Sequence, residues 1–173
     1  MIQITKREII VPPEKIETIK NFAEESAPYH KDIDHPRTLN ERELDICIGK
    51  IGEEILYETL SPYFNISRVK YDIFTNGKGD SGIDFNINNF ITIDNKTIFK
   101  RFHIMRLIHS TKCMWYSLVH LNDSLPAGVH GGTYIGMITL EELLKHQEWD
   151  SRYNCKYVEE RVFKELNNCH VSL

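Results

Sequence analysis

At 173 residues, with 41% apolar and 27% charged side chains, the chain is long enough for one domain with a real core and too short for two comfortable ones. Its formal net charge of −4 argues against a protein that coats nucleic acid by bulk electrostatics. It leaves room for an enzyme whose own carboxylates bind metal beside a local basic groove.

No apolar run approaches the roughly 20 residues that span a bilayer. The N-terminal stretch MIQITKREIIVPPEK lacks the apolar core of a secretory signal. Cys47, Cys113, Cys155 and Cys169 form no CxxC pair and no zinc-like spacing. A cytoplasmic, reduced protein without membrane contact is expected.

Residues 1–11 alternate weakly through Ile2, Ile4, Ile9 and Val11 and predict an edge strand. Pro12 and Pro13 then open a helix with Ile16, Ile19, Phe22 and Ala23 at helical spacing. Residues 27–37 read as a loop. Thr38 with Glu41, and Asn40 with Glu43, both resemble capping boxes and start a helix over roughly 40–60. Its stripe is Leu44, Ile48, Ile51 and Ile55, widened by Leu56, and Ser61 and Pro62 end it. Residues 64–74 (FNISRVKYDIF) alternate with a slip near Arg68 and predict a bulged strand. The glycine-rich 75–82 predict a loop, and a hairpin follows. Residues 99–110 lean towards a short helix. MWYSLVHL (114–121) reads as a buried strand and TYIGMIT (133–139) as another. Thr139 caps a helix through about 147, and 155–166 carry Val158, Val162, Phe163 and Leu166 of a last helix. This order predicts an α/β fold, a mixed central sheet flanked by helices.

The hairpin DSGIDFNINNFITIDNKT (80–97) carries the chemistry. With a two-residue turn at Asn88 and Asn89, Asp84 would lie opposite Ile93, among apolar side chains. With a three-residue loop over 88–90, Ile87 pairs Ile91, Phe85 pairs Ile93, and Asp84 pairs Asp94. The second register sorts the strands into one apolar face and one face of Asp84, Asn86, Thr92, Asp94 and Lys96, and is preferred. It sets two carboxylates about 5 Å apart at Cβ, a repulsion that a hard cation such as Mg²⁺ relieves. Lys96 stands beside them, able to hold a water or a phosphate oxygen. Most Asp-x-Lys strands are plain solvated faces, so this pattern needs its surroundings.

Those surroundings resemble the PD-(D/E)XK nuclease superfamily. GKIGEEILYETL (49–60) is similar to its Gly-x-x-Gly-Glu helix with Glu53 at the functional place, GIDFNI supplies Asp84, and ITIDNKT supplies Asp94 and Lys96. The later strands and helix extend the likeness over about 40–147, within one domain spanning 1–173. The resemblance implies a restriction endonuclease-like core and an endonuclease cutting DNA with Mg²⁺ (or Mn²⁺) to leave 5′-phosphate ends. It implies Glu53, Asp84, Asp94 and the Asn95 backbone carbonyl as metal ligands, with Lys96 orienting and helping to deprotonate the attacking water. Periodicity alone does not choose between Glu53 and Glu54. The family pattern selects Glu53 and leaves Glu54 as an exposed acid. Two departures stand out: Ile83 replaces the usual Pro, and Asn95 places a polar side chain on the apolar face.

Lys70, Lys78, Lys100, Arg101 and Arg106 surround the hairpin in sequence, and Lys78, Lys100, Arg101 and Lys70 are expected to contact phosphates. His30, His35, and His109 with Cys113, have no matching second pair for zinc. Phe85, Phe90, Trp115 and Tyr116 read as core or rim before base-stacking platforms. A homodimer would suit double-strand cutting. The same fold serving as a binding module without cleavage, or acting on RNA, is the alternative.

Overall fold

The structure, a computed structural model, describes residues 4, 7–30, 36–75, 82–99, 104–107, 112–122, 130–151 and 155–166. In chain order the elements are Glu8–Val11 (β1), Pro13–Ser26 (α1), Leu39–Leu60 (α2), Phe85–Ile87 (β2), Ile91–Phe99 (β3), Ile104–Leu107 (β4), Trp115–Leu121 (β5), His130–Thr139 (β6), Leu140–His146 (α3), Glu148–Asp150 (β7), Cys155–Glu159 (β8) and Glu160–Leu166 (α4). Five strands form a mixed sheet in the order β1-β6-β5-β3-β2, with β3 and β5 parallel and the other pairs antiparallel. A second, antiparallel sheet has the order β4-β8-β7. The mixed α/β architecture follows the sequence reading, and β1 takes the expected edge.

Alternation divides the larger sheet between two cores. Ile93 and Val119 pack with Ile19 of α1 and Ile55 and Leu56 of α2. Ile98, Tyr116, Leu118 and Ile138 pack on the other side with Leu143 of α3 and Val162 and Phe163 of α4. A strand covered on both faces needs no polar side, which is why β5 is mostly apolar, interrupted only by Ser117 and His120.

Thr38 caps α2: its hydroxyl accepts the Glu41 amide at 3.3 Å, and Glu41 accepts the Thr38 amide at 2.7 Å. The fully buried residues of α2 all lie between Ile51 and Leu60, so only its second half meets the sheet. Leu44, expected in the apolar stripe, is therefore 55% exposed. Where α2 touches β3 the fit is close, and a Cβ on Gly52 would overlap the Thr97 side chain.

Three segments differ from expectation. Residues 64–74 hold no regular strand, only an isolated bridge from Ile66 to Ile87. Ser67 explains the interruption. Its hydroxyl accepts the Asn86 amide and its own amide donates to the Asn86 carbonyl, both at 2.9 Å, so a side chain takes a ladder position. Within 99–110, Ile104–Leu107 is extended and pairs with β8 instead of forming a helix. The last segment divides: Cys155–Glu159 is a strand between β4 and β7, and only Glu160–Leu166 is helical. Sheet pairing outweighs local helical spacing in both places.

Candidate active site at the open end of the hairpin

The register is the odd one. Ile87 faces Ile91, Asn86 faces Thr92 and Phe85 faces Ile93. The turn achieves it with Asn88 and Asn89 in the left-handed region (φ 51° and 66°), a conformation asparagine tolerates better than most residues. The Phe90 amide closes the turn on the Ile87 carbonyl at 3.1 Å, and the Asn88 amide bonds the Asn65 carbonyl at 2.8 Å. Phe90 itself stands at the tip, 72% exposed. Phe85 and Tyr116 are core residues, and Trp115 packs partly buried against the α2-side core.

At its other end the ladder finishes on side chains. The Asp84 amide donates to the Ile93 carbonyl at 3.0 Å. The next donor on β3, the Asn95 amide, would meet the Ile83 carbonyl if the pairing continued. It donates instead to Asp84 Oδ2 at 2.7 Å, while the Ile83 carbonyl accepts Lys70 Nζ at 3.1 Å. The amide and carbonyl of one strand residue point to the same neighbour. The Asn95 carbonyl therefore looks out at the edge where Asp84 sits and β2 has ended.

Asp94 and Lys96 lie on the β3 face away from α2, and Lys96 Nζ donates to Asp94 Oδ1 at 2.6 Å. Thr92 on the same face accepts the Met114 amide at 3.0 Å. Behind them is a side chain that sequence reasoning missed. Cys113 is buried, its thiol donating to the Gly82 carbonyl at 3.2 Å and its amide to the Tyr116 hydroxyl at 3.2 Å. Burial pushes this thiol up to about 11, with Asp94 and Asp84 adding to the rise and Thr92 and Lys96 opposing it. Both carboxylates and the ammonium thus act on one point. No pattern in the sequence joins position 113 to the hairpin.

Asn95, the misfit of the sequence reading, is fully engaged. Its Oδ1 accepts Ser117 Oγ at 2.8 Å and its Nδ2 donates to Thr97 Oγ1 at 3.3 Å. The buried face it occupies carries a short polar row that satisfies it.

The helix acids take a different course. Both Glu53 oxygens accept Lys50 Nζ, at 2.9 and 2.7 Å, and that ammonium lies 5.5 and 5.9 Å from the ring centres of Phe22 and Tyr71. Glu54, expected to be exposed, is 3% exposed; it accepts the Tyr71 hydroxyl at 2.6 Å and Lys15 Nζ at 3.2 Å. Burial first, then the bond to Glu54 and the charges of Glu54 and Glu53, push the Tyr71 hydroxyl well above its ordinary range. Among the described residues no group of three or more His, Cys, Asp or Glu is placed to hold a metal ion. The expected convergence of Glu53 with Asp84 and Asp94 is not found, because α2 lies across the sheet from Asp94 and Lys96.

Two carboxylates and an edge carbonyl are hard oxygen donors of the type Mg²⁺ and Mn²⁺ take with water completing the shell. Asp84, Asp94 and Asn95 fit such an ion; Glu53 is not gathered with them. Lys70, expected to contact phosphate, holds the Ile83 carbonyl instead. Lys78, Lys100 and Arg101 lie outside the described residues, as do His35 and His109. Among the described residues no helix is long and apolar enough to cross a membrane. Compared with known proteins, the chain matches no family model, no curated protein and no solved structure.

Proposed function

We infer that this chain is a metal-dependent endonuclease with a restriction endonuclease-like core of the PD-(D/E)XK type, hydrolysing phosphodiester bonds in DNA inside the cell. One observation carries the reading. At the open end of the hairpin the Asp84 carboxylate is tied to the Asn95 amide, and Asp94, the residue beside Asn95, is tied to Lys96. Like charges placed so close destabilise a strand pair unless a counter-charge answers them, and one lysine is a partial answer.

A bound Mg²⁺ or Mn²⁺ supplies charge neutralisation at the scissile phosphate and acidifies a coordinated water. Asp84, Asp94 and the Asn95 carbonyl would hold it. Lys96, positioned by Asp94, orients the attacking water and stabilises charge on the phosphoryl oxygens. Attack on phosphorus opposite the 3′ oxygen leaves 5′-phosphate and 3′-hydroxyl ends. Glu53 has its carboxylate on Lys50 and would join the ligands only on release from that pair. Lys78, Lys100 and Arg101 are the proposed phosphate contacts, and a homodimer would present two such sites to a duplex.

A second reading draws on the Glu53–Lys50 pair: the same fold without its third acid, binding nucleic acid or protein without cutting. Supercoiled plasmid separates the two. Nicking or linearisation with Mg²⁺ is expected, lost with EDTA and lost in Asp94→Ala and Lys96→Ala. Cleavage that survives EDTA or either substitution would sink this site. No cleavage of DNA or RNA by a folded protein that binds nucleic acid would establish the module.

A further inference from the structure

At the end of the β2–β3 ladder one backbone bond has been exchanged for two side-chain bonds. The Ile83 carbonyl is held by Lys70 Nζ at 3.1 Å, and the Asn95 amide is held by Asp84 Oδ2 at 2.7 Å. The two are coupled by elementary accounting. A strand amide and a strand carbonyl left facing each other pair, and a buried backbone group does not go without a partner. The Asp84 amide, in the same peptide as the Ile83 carbonyl, donates to the Ile93 carbonyl at 3.0 Å, so that carbonyl points away from β3 to Lys70 and the Asn95 amide is left to the carboxylate. On the far side Asn95 is anchored by Ser117 Oγ at 2.8 Å and by Thr97 at 3.3 Å, so its peptide has a fixed place.

We propose that Lys70 is a positioning residue: by holding the Ile83 carbonyl off β3 it turns the Asp84 carboxylate onto the Asn95 amide and so presents Asp84 for metal. This rests on the nuclease reading above, which the sequence alone would have used to make Lys70 a phosphate contact. The two roles differ in what they move. A phosphate contact changes DNA affinity and its salt slope across all substrates. A residue that orients a ligand changes the metal requirement.

Three measurements on Lys70→Met and Lys70→Arg decide it: Mn²⁺ binding followed by electron paramagnetic resonance, the metal dependence of plasmid cleavage, and the Asn95 amide proton signal by NMR. In Lys70→Met the Asn95 signal shifts as its acceptor changes from carboxylate to carbonyl. Mn²⁺ binding weakens about tenfold, the scale seen when a group that orients a metal ligand is removed. The DNA concentration for half-maximal cleavage at saturating metal stays as in the unmodified protein. Lys70→Arg, which keeps a donor, recovers most of the loss, and thermal melts confirm that both variants fold. An unmoved Asn95 signal with unchanged Mn²⁺ affinity would overturn the proposal. So would a Lys70→Met defect confined to DNA affinity. If the unmodified protein neither binds Mn²⁺ nor cleaves, the nuclease reading fails and the metal role of Lys70 falls with it. The Asn95 signal alone then decides whether Lys70 sets Asp84.

Discussion

Glu53 and Glu54 on α2, and Asp84 and Asp94 on the hairpin, are two acid pairs approached from opposite faces of one strand. The helix pair is answered by side chains of the surrounding packing: Lys50 beneath Glu53, with Phe22 and Tyr71 near its ammonium, and Tyr71 and Lys15 on Glu54. The hairpin pair is answered locally, by a backbone amide at the sheet edge and a lysine two residues along the same strand. Charges neutralised by packed neighbours become part of stability, because a buried carboxylate that loses its partner keeps its desolvation cost. Charges answered locally at an edge can be changed at little cost to the fold. The helix acids should therefore matter to folding and the hairpin acids to chemistry.

The largest expected effect tests the second half of that contrast. Asp94→Asn should lower kcat/KM for plasmid cleavage by about 1000-fold, roughly 4 kcal/mol of barrier, with the melting temperature nearly unmoved. A large loss of stability instead would erase the distinction between the pairs. Next, Lys50→Met leaves Glu53 buried beside a neutral chain and should cost about 3 kcal/mol in urea unfolding. The double change Lys50→Met with Glu53→Gln should recover part of it. Tyr71→Phe removes one of the two bonds to Glu54 and should cost about 1–2 kcal/mol, with no change in metal requirement.

The smallest effect is a pH dependence that sharpens the contrast from the hairpin side. Cys113 is raised from an ordinary 9.0 to about 11 in the folded protein. Above pH 9 the unfolded chain loses this proton first, so stability present below that value is lost as pH rises towards 11. Cys113→Ser should flatten that alkaline decline in melting temperature, and alkylation of Cys113 in the folded protein should rise only near pH 11.

The local parts of this arrangement were legible. Pairing parity selected the three-residue loop, because a one-residue slip would have turned Asp84 among apolar side chains. The Thr38 capping box and the doubly buried β5 were equally readable. What escaped the sequence depended on distant partners. Glu54 is buried because Tyr71 and Lys15 reach it from a loop and from α1, and two adjacent glutamates give no periodic sign of that. Residues 64–74 alternate like a strand, yet Ser67 spends its hydroxyl on Asn86 and ends the pairing. Lys70 read as a phosphate contact, because nothing near it in sequence marks the Ile83 carbonyl, thirteen residues on, as its partner. Asn95 looked misplaced until Ser117 came beside it across the parallel pair.

The contact between Gly52 and Thr97 bears on how the hairpin can move. With no room for even a methyl group between α2 and β3, helix and strand behave as one solid jaw. The opposing jaw is the stretch from Ile83 to Asp84, held by a lysine side chain, a carboxylate and one backbone bond from the Asp84 amide to Ile93. Opening this end of the molecule would mean breaking those bonds on the Asp84 side, while Asp94 and Lys96 sit on the strand that is packed tightly against α2.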